Sequence, residues 1–394
     1  MHVVVAPDKF KGTLTARQVA DRVAAGIAAA LDEMGAPGVA VVRVPVADGG
    51  DGTVDAALAA GYERIPVRAE GPTGAPVDTA FAVLEGVAVV EMADVSGLRL
   101  LPRDRLAPLT ASSHGTGEVV QAALELGCHT VVLGIGGSAS TDGGAGMLQA
   151  LGARLLDARG EELPRGGASL AALDRVDLSG LHPGKGRARF IVAGDVDNPL
   201  LGSYGAAAIY GPQKGASPDD IAVLETALTR WAEVVEAAVG PGEPPFRDRE
   251  GAGAAGGVGY AAMAVLGAEL RPGIELILDL VRFADRLPDA RLVITGEGSL
   301  DEQTLSGKAP AGVAAAAAAA DIPVVAVAGR LALSPERLRA AGIAQAYALT
   351  DIEPDVQRCL SEAGPLLESL ARTLAKDWLA GTAVNLASEG VSRS

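Results

Sequence analysis

The sequence predicts an α/β protein of two domains, one assembled from both ends of the chain and the other inserted between those ends. Apolar residues make up 49% of the 394 residues and aromatic residues only 3%, a composition typical of parallel sheets covered by helices of small residues. Strand, loop and helix patterns alternate at both ends of the chain, whereas residues 63–92 form short alternating segments with Gly and Pro turns. Such alternation indicates antiparallel or mixed pairing, unlike the pattern at the chain ends. We therefore expect the second domain to begin near those residues.

We expect the first domain to comprise residues 1–70 and 285–390, and the inserted domain residues 71–284. The expected elements of the first domain are strands at 3–6, 39–46, 292–295 and 323–327, a helix begun by Thr15 and Gln18 as a capping box, and helices at 309–320 and 355–379. Those of the inserted domain are helices at 117–126 and 218–239, strands at 130–133 and 190–193, and glycine-rich breaks at 240–245 and 251–259. Ligands bind at the carboxyl ends of strands in open α/β sheets, so the loops after these strands are the candidate functional segments.

Net charge and cysteine content exclude several classes of protein. The 33 basic and 49 acidic residues give a net charge of −16, which disfavours binding to nucleic acid or anionic membranes. The most apolar stretch, 313–329, is interrupted by Asp321 and Pro323 and does not predict a membrane span. Cys128 and Cys359 lack the spacing of a disulfide framework or a zinc site. We expect a cytoplasmic protein without nucleic-acid or membrane partners, and the sequence leaves homo-oligomerisation open.

Lysine is rare in this chain, and its placement indicates anion binding. Four of the six lysines, Lys9, Lys11, Lys214 and Lys308, lie in loops bracketed by Gly or Pro, although the chain otherwise uses arginine. A lysine is a compact charge on a flexible stem, and glycine allows backbone N–H groups to approach the same anion. These loops therefore predict contacts with phosphate or carboxylate groups.

A glycine-rich loop at 134–144 leaves a predicted strand, enters a helix and formally matches G-x-G-x-x-A. Ser138, Ser140, Thr141 and Asp142 add polar groups, which favours a polyphosphate-binding loop over a turn used only for packing. No Gly-Lys-Ser/Thr follows, so the loop is not a Walker A motif. The same match leaves a dinucleotide-dependent oxidoreductase as an alternative.

Carboxylates recur in the loops that follow the predicted strands. Glu297 and Asp301 precede Lys308, and carboxylates beside a phosphate site hold magnesium or accept a hydroxyl proton. Acidic or amide side chains also follow other strands, at Asp48, Asp51, Asp195, Asp197 and Asn198. Asp and Asn favour turns for backbone reasons alone. Their recurrence after successive strands nevertheless indicates a shared site.

Taken in order, six of these loops resemble those of type I glycerate kinases; they are 7–12, 47–53, 134–144, 195–200, 211–215 and 295–303. The resemblance extends from residue 5 to about residue 375. The chain departs from the family pattern at Lys9, Asp51 and Ser140-Thr141, where the family usually has Ser, Glu and Thr-Asn.

The resemblance implies transfer of the ATP γ-phosphoryl group to a hydroxyl of D-glycerate, with Mg²⁺ as cofactor. It also implies a flavodoxin-like βαβ domain interrupted by a second α/β domain, which agrees with the mixed sheet expected there. The favoured product is 2-phosphoglycerate, and 3-phosphoglycerate stays open. A non-catalytic sensor that binds glycerate or ATP remains an alternative beside the oxidoreductase.

Under this resemblance each loop receives a role. The expected nucleotide-binding residues are Gly136, Gly137, Ser138, Asp142, Lys214 and Lys308, and the expected magnesium ligands are Glu297 and Asp301. The expected glycerate-binding residues are Asp8, Lys11, Asp51 and Asn198, with Lys11 on the substrate carboxylate and counted as catalytic. Phosphoryl transfer needs a carboxylate near the attacking hydroxyl. Asp195 is the expected base and Asp48 the alternative, because carboxylates that face one magnesium ion can exchange these duties.

Overall fold

The computed structural model describes residues 1–36, 38–305 and 307–391, with side chains described through residue 380. The chain forms two compact units. The terminal unit comprises Met1–Asp48, Asp55–Ala60 and the chain from Ile274 onward, and the central unit comprises Gly49–Val54 and Gly61–Gly273. Each unit has its own sheet and its own hydrophobic core.

The described residues form the following elements. The strands are β1 (His2–Pro7), β2 (Ala40–Arg43), β3 (Glu63–Glu70), β4 (Pro76–Leu84), β5 (Val87–Glu91), β6 (Thr130–Gly134), β7 (Arg154–Leu156), β8 (Arg175–Asp177), β9 (Arg189–Ala193), β10 (Glu269–Arg271), β11 (Ala290–Leu300), β12 (Val324–Leu331) and β13 (Gln345–Ala348). The α-helices are α1 (Ala16–Glu33), α2 (Thr53–Ala59), α3 (Ala93–Ser96), α4 (His114–Glu125), α5 (Ala145–Ala150), α6 (Ala206–Tyr210), α7 (Pro218–Val239), α8 (Ala254–Ala261), α9 (Gly273–Leu280), α10 (Ala309–Ala318), α11 (Pro335–Ala340), α12 (Leu349–Ile352), α13 (Val356–Ser361) and α14 (Ala363–Val391).

The terminal unit contains a five-stranded parallel sheet in the order β13-β12-β11-β1-β2. Numbered within the unit, this is the 2-1-3-4-5 strand order of flavodoxin-like folds. Successive residues of β1 point to opposite faces of the sheet. Val3 and Val5 therefore pack in the cluster that includes α1 and α14, whereas Val4 and Ala6 pack in the cluster that includes α10. Burial on both faces explains the continuous apolar run at the start of the chain.

The central unit contains a six-stranded mixed sheet in the order β10-β9-β6-β5-β4-β3. Strands β10, β9, β6 and β5 run parallel, while β4 pairs antiparallel with both β5 and β3. Strands β7 and β8 form a separate antiparallel pair. Phe81, Trp231 and Tyr260 are fully buried in the core of this unit. The predicted fold class, a flavodoxin-like sheet with a second α/β region that has a mixed sheet, is confirmed.

The structure confirms one predicted helix start and divides one predicted helix into two. The capping box of α1 is confirmed, because the backbone N–H of Gln18 donates to Thr15 Oγ1 at 3.2 Å and that of Thr15 to Gln18 Oε1 at 2.9 Å. The expected final helix is two helices, α13 and α14, separated at Glu362. None of the helices in the described ranges has the length and apolarity needed to cross a membrane.

The boundaries of the compact units do not coincide with the expected domain boundaries. Strand β3 was expected within 1–70 of the first domain, but it pairs with β4 over its whole length in the central sheet. Residues 274–284 were expected in the inserted domain but belong to the terminal unit. The division of the chain into two separate domains stays a prediction.

Candidate active site

Neighbouring strand ends bring three acidic residues together in the terminal unit. Strands β1 and β11 pair in parallel with Pro7 opposite Gly296, so the next residues, Asp8 and Glu297, are neighbours. The chain beyond β2 continues beside β1, with a hydrogen bond of 3.0 Å to Pro7 O, and leads to Asp48. We call Asp8, Asp48 and Glu297 the carboxylate cluster.

Asp8 is held in this cluster as a buried carboxyl group, with 5% of the residue exposed. Burial raises the pKa of Asp8 from 3.8 to about 7. The Lys9 ammonium, 3.5 Å from Asp8 Oδ1, opposes the rise in pKa, whereas the charges of Asp48 and Glu297 add to it. The backbone N–H of Lys9 donates to the same oxygen at 2.6 Å. Asp8 therefore exchanges its proton near neutral pH.

Glu297 is buried beside the second predicted magnesium ligand. Burial raises the pKa of Glu297, and a hydrogen bond from the Thr304 hydroxyl to Oε1 opposes the rise. The charge of Asp301 raises this pKa further. Asp301 is fixed by a turn, because its Oδ1 accepts from the backbone N–H of Gln303 at 3.0 Å. The structure thus brings Glu297 and Asp301 together.

Two lysines of the terminal unit, Lys9 and Lys308, act on these carboxylates, and the backbone of a third, Lys11, lies close to Gly298. Lys308 directly precedes α10; its Nζ donates to Gln303 Oε1 at 3.2 Å, and its charge lowers the pKa of Glu297. Lys11 is exposed, and its backbone passes close to Gly298, where an added Cβ would lie 3.2 Å from Lys11 N. Positive charge beside an acidic cluster suits an anionic ligand that reaches the protein together with a cation.

The chemistry of the carboxylate cluster fits a magnesium ion. Mg²⁺ prefers oxygen ligands and is usually held by one or two carboxylates together with substrate phosphates. The raised pKa values of Asp8 and Glu297 show that the ionised carboxylates are disfavoured by burial and by one another. A bound divalent cation would remove this cost, so the residues present are suited to hold it.

The glycine-rich loop of the central unit leaves β6 and packs against the segment that contains Gly50. Gly137 has φ of 73°, a left-handed conformation that favours glycine. A Cβ at Gly136 would lie 2.6 Å from Gly50 Cα, so a larger residue would displace one of the two segments. The backbone of the loop requires both predicted glycines, and Ser138 is the first side chain with a hydroxyl after them.

Lys214 contacts this loop as a buried ammonium group that is 1% exposed. Its Nζ donates to Ser138 Oγ at 2.8 Å and to Ser140 O at 2.5 Å. Burial lowers the pKa of Lys214 to about 7, and the charge of Asp142 opposes this shift. Both hydrogen-bonding partners are neutral, and the charge of Asp142 offsets only part of the cost of burying the ammonium group. Lys214 is therefore suited to an anion bound at the loop.

Two further hydroxyl groups of the same loop lack partners. Ser140 Oγ and Thr141 Oγ1 are buried, and neither has a hydrogen-bond partner in the described structure. Buried polar groups in folded proteins are nearly always hydrogen-bonded, to protein or to water. These two hydroxyls are therefore available to hydrogen-bond a water molecule or a ligand of the loop.

Asp142, which we expected to bind nucleotide, is fully buried among hydrogen-bond donors of the protein. Its Oδ2 accepts from the Ser113 backbone at 2.8 Å, the Ser113 hydroxyl at 2.9 Å, Gly146 N at 3.2 Å and the Ser112 hydroxyl at 3.4 Å, and its Oδ1 accepts from Gly144 N at 3.2 Å. This geometry favours a role in shaping the loop at the start of α5. Direct contact of Asp142 with nucleotide stays a prediction.

Glu91 is a buried carboxyl group that our sequence reasoning missed. It ends β5, and its carboxylate accepts from the backbone N–H of Gly52 and of Val54, each at 3.1 Å. Burial raises the pKa of Glu91 to about 8, and the charges of Asp94 and Asp51 add to this. The available signal was the one used elsewhere, an acidic residue at the carboxyl end of an apolar strand. Glu91 holds the glycine loop that carries Asp51.

The predicted base, Asp195, is exposed in the loop that follows β9. Its Oδ1 accepts from the backbone N–H of Gly273 at 2.7 Å, which fixes the orientation of the carboxylate. Asp51 is half-buried, and its Oδ1 lies 3.5 Å from Arg99 Nε. Strands β5, β6 and β9 are adjacent and parallel, so the loops after them emerge at one edge of the central sheet.

Asn198 lies in the same loop as Asp195, and the protein binds both ends of its side-chain amide. Its Nδ2 donates to Tyr204 O at 2.8 Å, and its Oδ1 accepts from the Tyr210 hydroxyl at 2.5 Å. These contacts fix the loop between β9 and α6. A contact between Asn198 and glycerate stays a prediction.

Comparison with known proteins gives a consistent result. The family model described as "Glycerate kinase family" matches residues 3–379. Glycerate kinase of Bacillus subtilis (strain 168) is 42% identical over 378 residues, covering 95% of this chain and 97% of the relative. Glycerate 2-kinase of Escherichia coli (strain K12) is 46% identical over 335 residues, covering 84% and 86%.

A solved structure gives the same result. The crystal structure described as glycerate kinase 2 from Salmonella typhimurium LT2 superposes with a TM-score of 0.83 at 40% identity, covering 97% of this chain and 99% of that one. The fold is therefore shared along nearly the whole chain. The chain belongs to the glycerate kinase family.

Proposed function

We propose that this chain transfers the γ-phosphoryl group of ATP to the 2-hydroxyl of D-glycerate, as a type I member of its family. The observation that carries the proposal is the carboxylate cluster: Asp8, Asp48 and Glu297 repel one another in a buried setting that suits magnesium and phosphate. Relatives named glycerate kinase support the substrate, and the relative named glycerate 2-kinase supports the 2-hydroxyl.

The nucleotide phosphates bind, in this proposal, at the glycine-rich loop of the central unit. Lys214 donates to Ser138 Oγ, which then acts as an acceptor, so the hydroxyl hydrogen of Ser138 is directed to another acceptor. A phosphate oxygen is a suitable acceptor, and the buried ammonium adds electrostatic attraction. The tight backbone at Gly136 and Gly137 allows close approach, and Lys308 provides a further cation for phosphate in the terminal unit.

Glycerate binds through its carboxylate to Lys11, whose exposed, flexible side chain can follow the substrate. Asp8 and Asp51 accept hydrogen bonds from the glycerate hydroxyls, and Asn198 contributes through the loop that it fixes. Asp195 accepts the proton of the attacking hydroxyl, with its orientation fixed by Gly273 N. Asp48 is the alternative base, because it also follows a strand of the site.

In this proposal magnesium is held by Glu297, a member of the carboxylate cluster, and by Asp301. The charge of the bound ion would also offset the repulsion that Asp8 and Asp48 exert on Glu297 and on each other. When bound, Mg²⁺ neutralises negative charge on the phosphoryl oxygens. Thr304 keeps the Glu297 carboxylate in place through its hydrogen bond, and the turn at Gln303 does the same for Asp301. The protein thus positions and neutralises charged groups, which is most of what phosphoryl transfer requires.

Release of ADP from ATP in the presence of D-glycerate tests the function. We expect ADP formation that requires D-glycerate, ATP and Mg²⁺ together, and little formation when L-glycerate replaces the D-isomer. Binding of ATP or glycerate without ADP formation would favour the non-catalytic sensor. Binding of NADH without binding of ATP would favour the dinucleotide-dependent oxidoreductase.

A further inference from the structure

We propose that Glu70, His114 and Glu118 form a binding site for a divalent transition-metal ion, with Zn²⁺ the best match to its ligands. All three residues belong to the central unit, and none takes part in the proposed phosphoryl transfer. Glu70 ends β3, and His114 and Glu118 lie one turn apart on α4. The site does not depend on the proposed function.

The spacing of the three ligand atoms approaches that of a metal coordination sphere. His114 Nδ1 lies 3.7 Å from Glu118 Oε2 and 4.0 Å from Glu70 Oε2. The three ligand atoms lie within 4.8 Å of one another. Tetrahedral ligands at about 2.1 Å from Zn²⁺ lie about 3.4 Å apart. The present distances are too long for hydrogen bonds, and small side-chain rotations would bring the atoms to coordinating distance.

The imidazole of His114 supplies an independent indication of a ligand. Its Nδ1 is shielded from solvent and has no hydrogen-bond partner in the described part of the chain. The side chain as a whole is 13% exposed. A buried ring nitrogen that faces two carboxylates without a hydrogen bond is unsatisfied. A metal ion between these groups would satisfy the nitrogen and both carboxylates.

The local structure already orients the ligands. Residues four apart on a helix lie on the same face, so α4 presents His114 and Glu118 together. Glu118 Oε2 accepts from the backbone N–H of Glu70 at 2.7 Å, which joins the helix to the end of β3. The backbone N–H of His114 donates to Ser112 Oγ at 3.1 Å and fixes the start of the helix. Little reorganisation is needed for metal to bind.

Arg165 provides the counter-charge when no metal is bound. Its guanidinium forms an ion pair with Glu70 Oε2, and 38% of its side chain is exposed, so the arginine can move away. One guanidinium against two carboxylates leaves a net negative charge at the imidazole. A nitrogen ligand with two carboxylates suits zinc better than magnesium, which prefers all-oxygen sites. Arg165 and the metal should therefore compete for Glu70.

Zinc binding tests the site. The full-length, chelator-treated chain is titrated with Zn²⁺ in the absence of nucleotide, and binding is measured by calorimetry and by competition with a chromophoric chelator. We expect the parent chain to bind one more Zn²⁺ than the His114→Ala variant. Glu118→Gln should weaken this binding by about tenfold or more. Arg165→Met should tighten it, because the competing charge is gone. His129→Ala, which changes an exposed histidine of the same unit, should bind zinc like the parent.

Equal zinc stoichiometry in the parent and in His114→Ala would overturn the proposal, and so would weaker binding by Arg165→Met. Zinc that binds at the carboxylate cluster is recognised with the variant Glu297→Gln. This variant should lose the zinc ion of the cluster and keep the one at His114. Circular dichroism establishes that each variant is folded. If His114→Ala does not fold, the Arg165→Met result decides, since it alters no proposed metal ligand.

Discussion

Buried acidic residues lie at the sheet edge of both units, but the groups around them differ. In the terminal unit, Asp8 and Glu297 are close to other carboxylates, and their pKa values are raised. In the central unit, Asp142 is fully buried but accepts hydrogen bonds from backbone and hydroxyl donors. Asp142, which is surrounded by donors, shapes the protein, whereas Asp8 and Glu297, which lie close to other carboxylates, are suited to hold a cation. The same residue type after a strand can therefore have either role.

Loss of Glu297 should have the largest effect on activity. Replacing Glu297 by Gln removes one charge from the carboxylate cluster and one proposed magnesium ligand, so we expect kcat to fall about 100-fold or more. The thermal midpoint should stay the same or rise, because the variant buries less charge. ADP release and thermal melting measure the two effects.

Glu302→Gln is the matched control for this variant, since Glu302 is exposed and pairs with Arg337 at the surface. Its kcat should stay within about twofold of the parent. If Glu297→Gln loses stability and keeps its activity, the cluster has a structural role and the contrast between the two units is wrong.

Lys214→Met should have the next largest effect. The methionine fills the space of the buried stem but removes the charge, so we expect kcat/KM for ATP to fall about 10- to 100-fold with little change in the KM for glycerate. Initial rates at varied ATP and glycerate measure both values. Lys185→Met, which alters a lysine outside the site loops, should behave like the parent. An unchanged kcat/KM for ATP would remove Lys214 from the nucleotide site.

Asp142→Asn should lower the stability of the protein, whereas Glu297→Gln should not. The amide cannot accept all the hydrogen bonds that the carboxylate accepts, so we expect the free energy of unfolding to fall by about 2–4 kcal/mol. Urea denaturation monitored by circular dichroism measures this, with the exposed Asp174→Asn as control. An unchanged free energy of unfolding for Asp142→Asn would contradict a structural role for Asp142, and with it the difference between Asp142 and the carboxylate cluster.

The smallest expected effect is the change in protein stability with pH that results from the titration of Asp8. Because burial raises the pKa of Asp8 from 3.8 to about 7, the folded protein holds this proton more tightly than the unfolded chain. The contribution of Asp8 to stability is therefore complete below about pH 4 and is lost as the pH rises to 7. Activity should change in the other direction and fall as the pH drops below 7, because the protonated group has lost its charge and accepts a hydrogen bond from substrate less strongly.

Asp8→Asn isolates this contribution. At pH 8 we expect it to raise the free energy of unfolding by about 1–3 kcal/mol, since one pKa unit corresponds to 1.4 kcal/mol and part of the cost is relieved by relaxation. Denaturation at pH 5 and pH 8 measures the difference between the variant and the parent. A stability difference that is the same at both pH values would contradict the raised pKa of Asp8.

Much of this architecture could be predicted from the sequence, because it depends on local patterns. The capping box at Thr15 and Gln18, the apolar strands and the glycine loop at Gly136 and Gly137 can all be recognised from short stretches of sequence. The partners of a buried side chain are not local. Nothing near Asp142 in the sequence shows that Ser112 and Ser113, which lie just before α4, donate hydrogen bonds to it.

The residues that sequence reasoning missed illustrate the same limit. Glu91 contacts a loop that precedes it by many residues, and only pairing of the strands brings the two together. The Glu70, His114 and Glu118 group likewise joins a strand to a helix without a recognisable spacing motif. The expected domain boundary at residue 70 likewise differs from the boundary of the compact units, because β3 belongs to the central sheet through its pairing with β4.

The most direct test of the account is ³¹P NMR of the purified chain incubated with D-glycerate, ATP and Mg²⁺. One spectrum separates ADP, inorganic phosphate, 2-phosphoglycerate and 3-phosphoglycerate. We predict signals of 2-phosphoglycerate and ADP that grow together, and no signal of 3-phosphoglycerate. Growth of 3-phosphoglycerate would contradict the proposed hydroxyl, and an unchanged ATP spectrum over a range of pH and metal concentrations would contradict the proposed kinase activity.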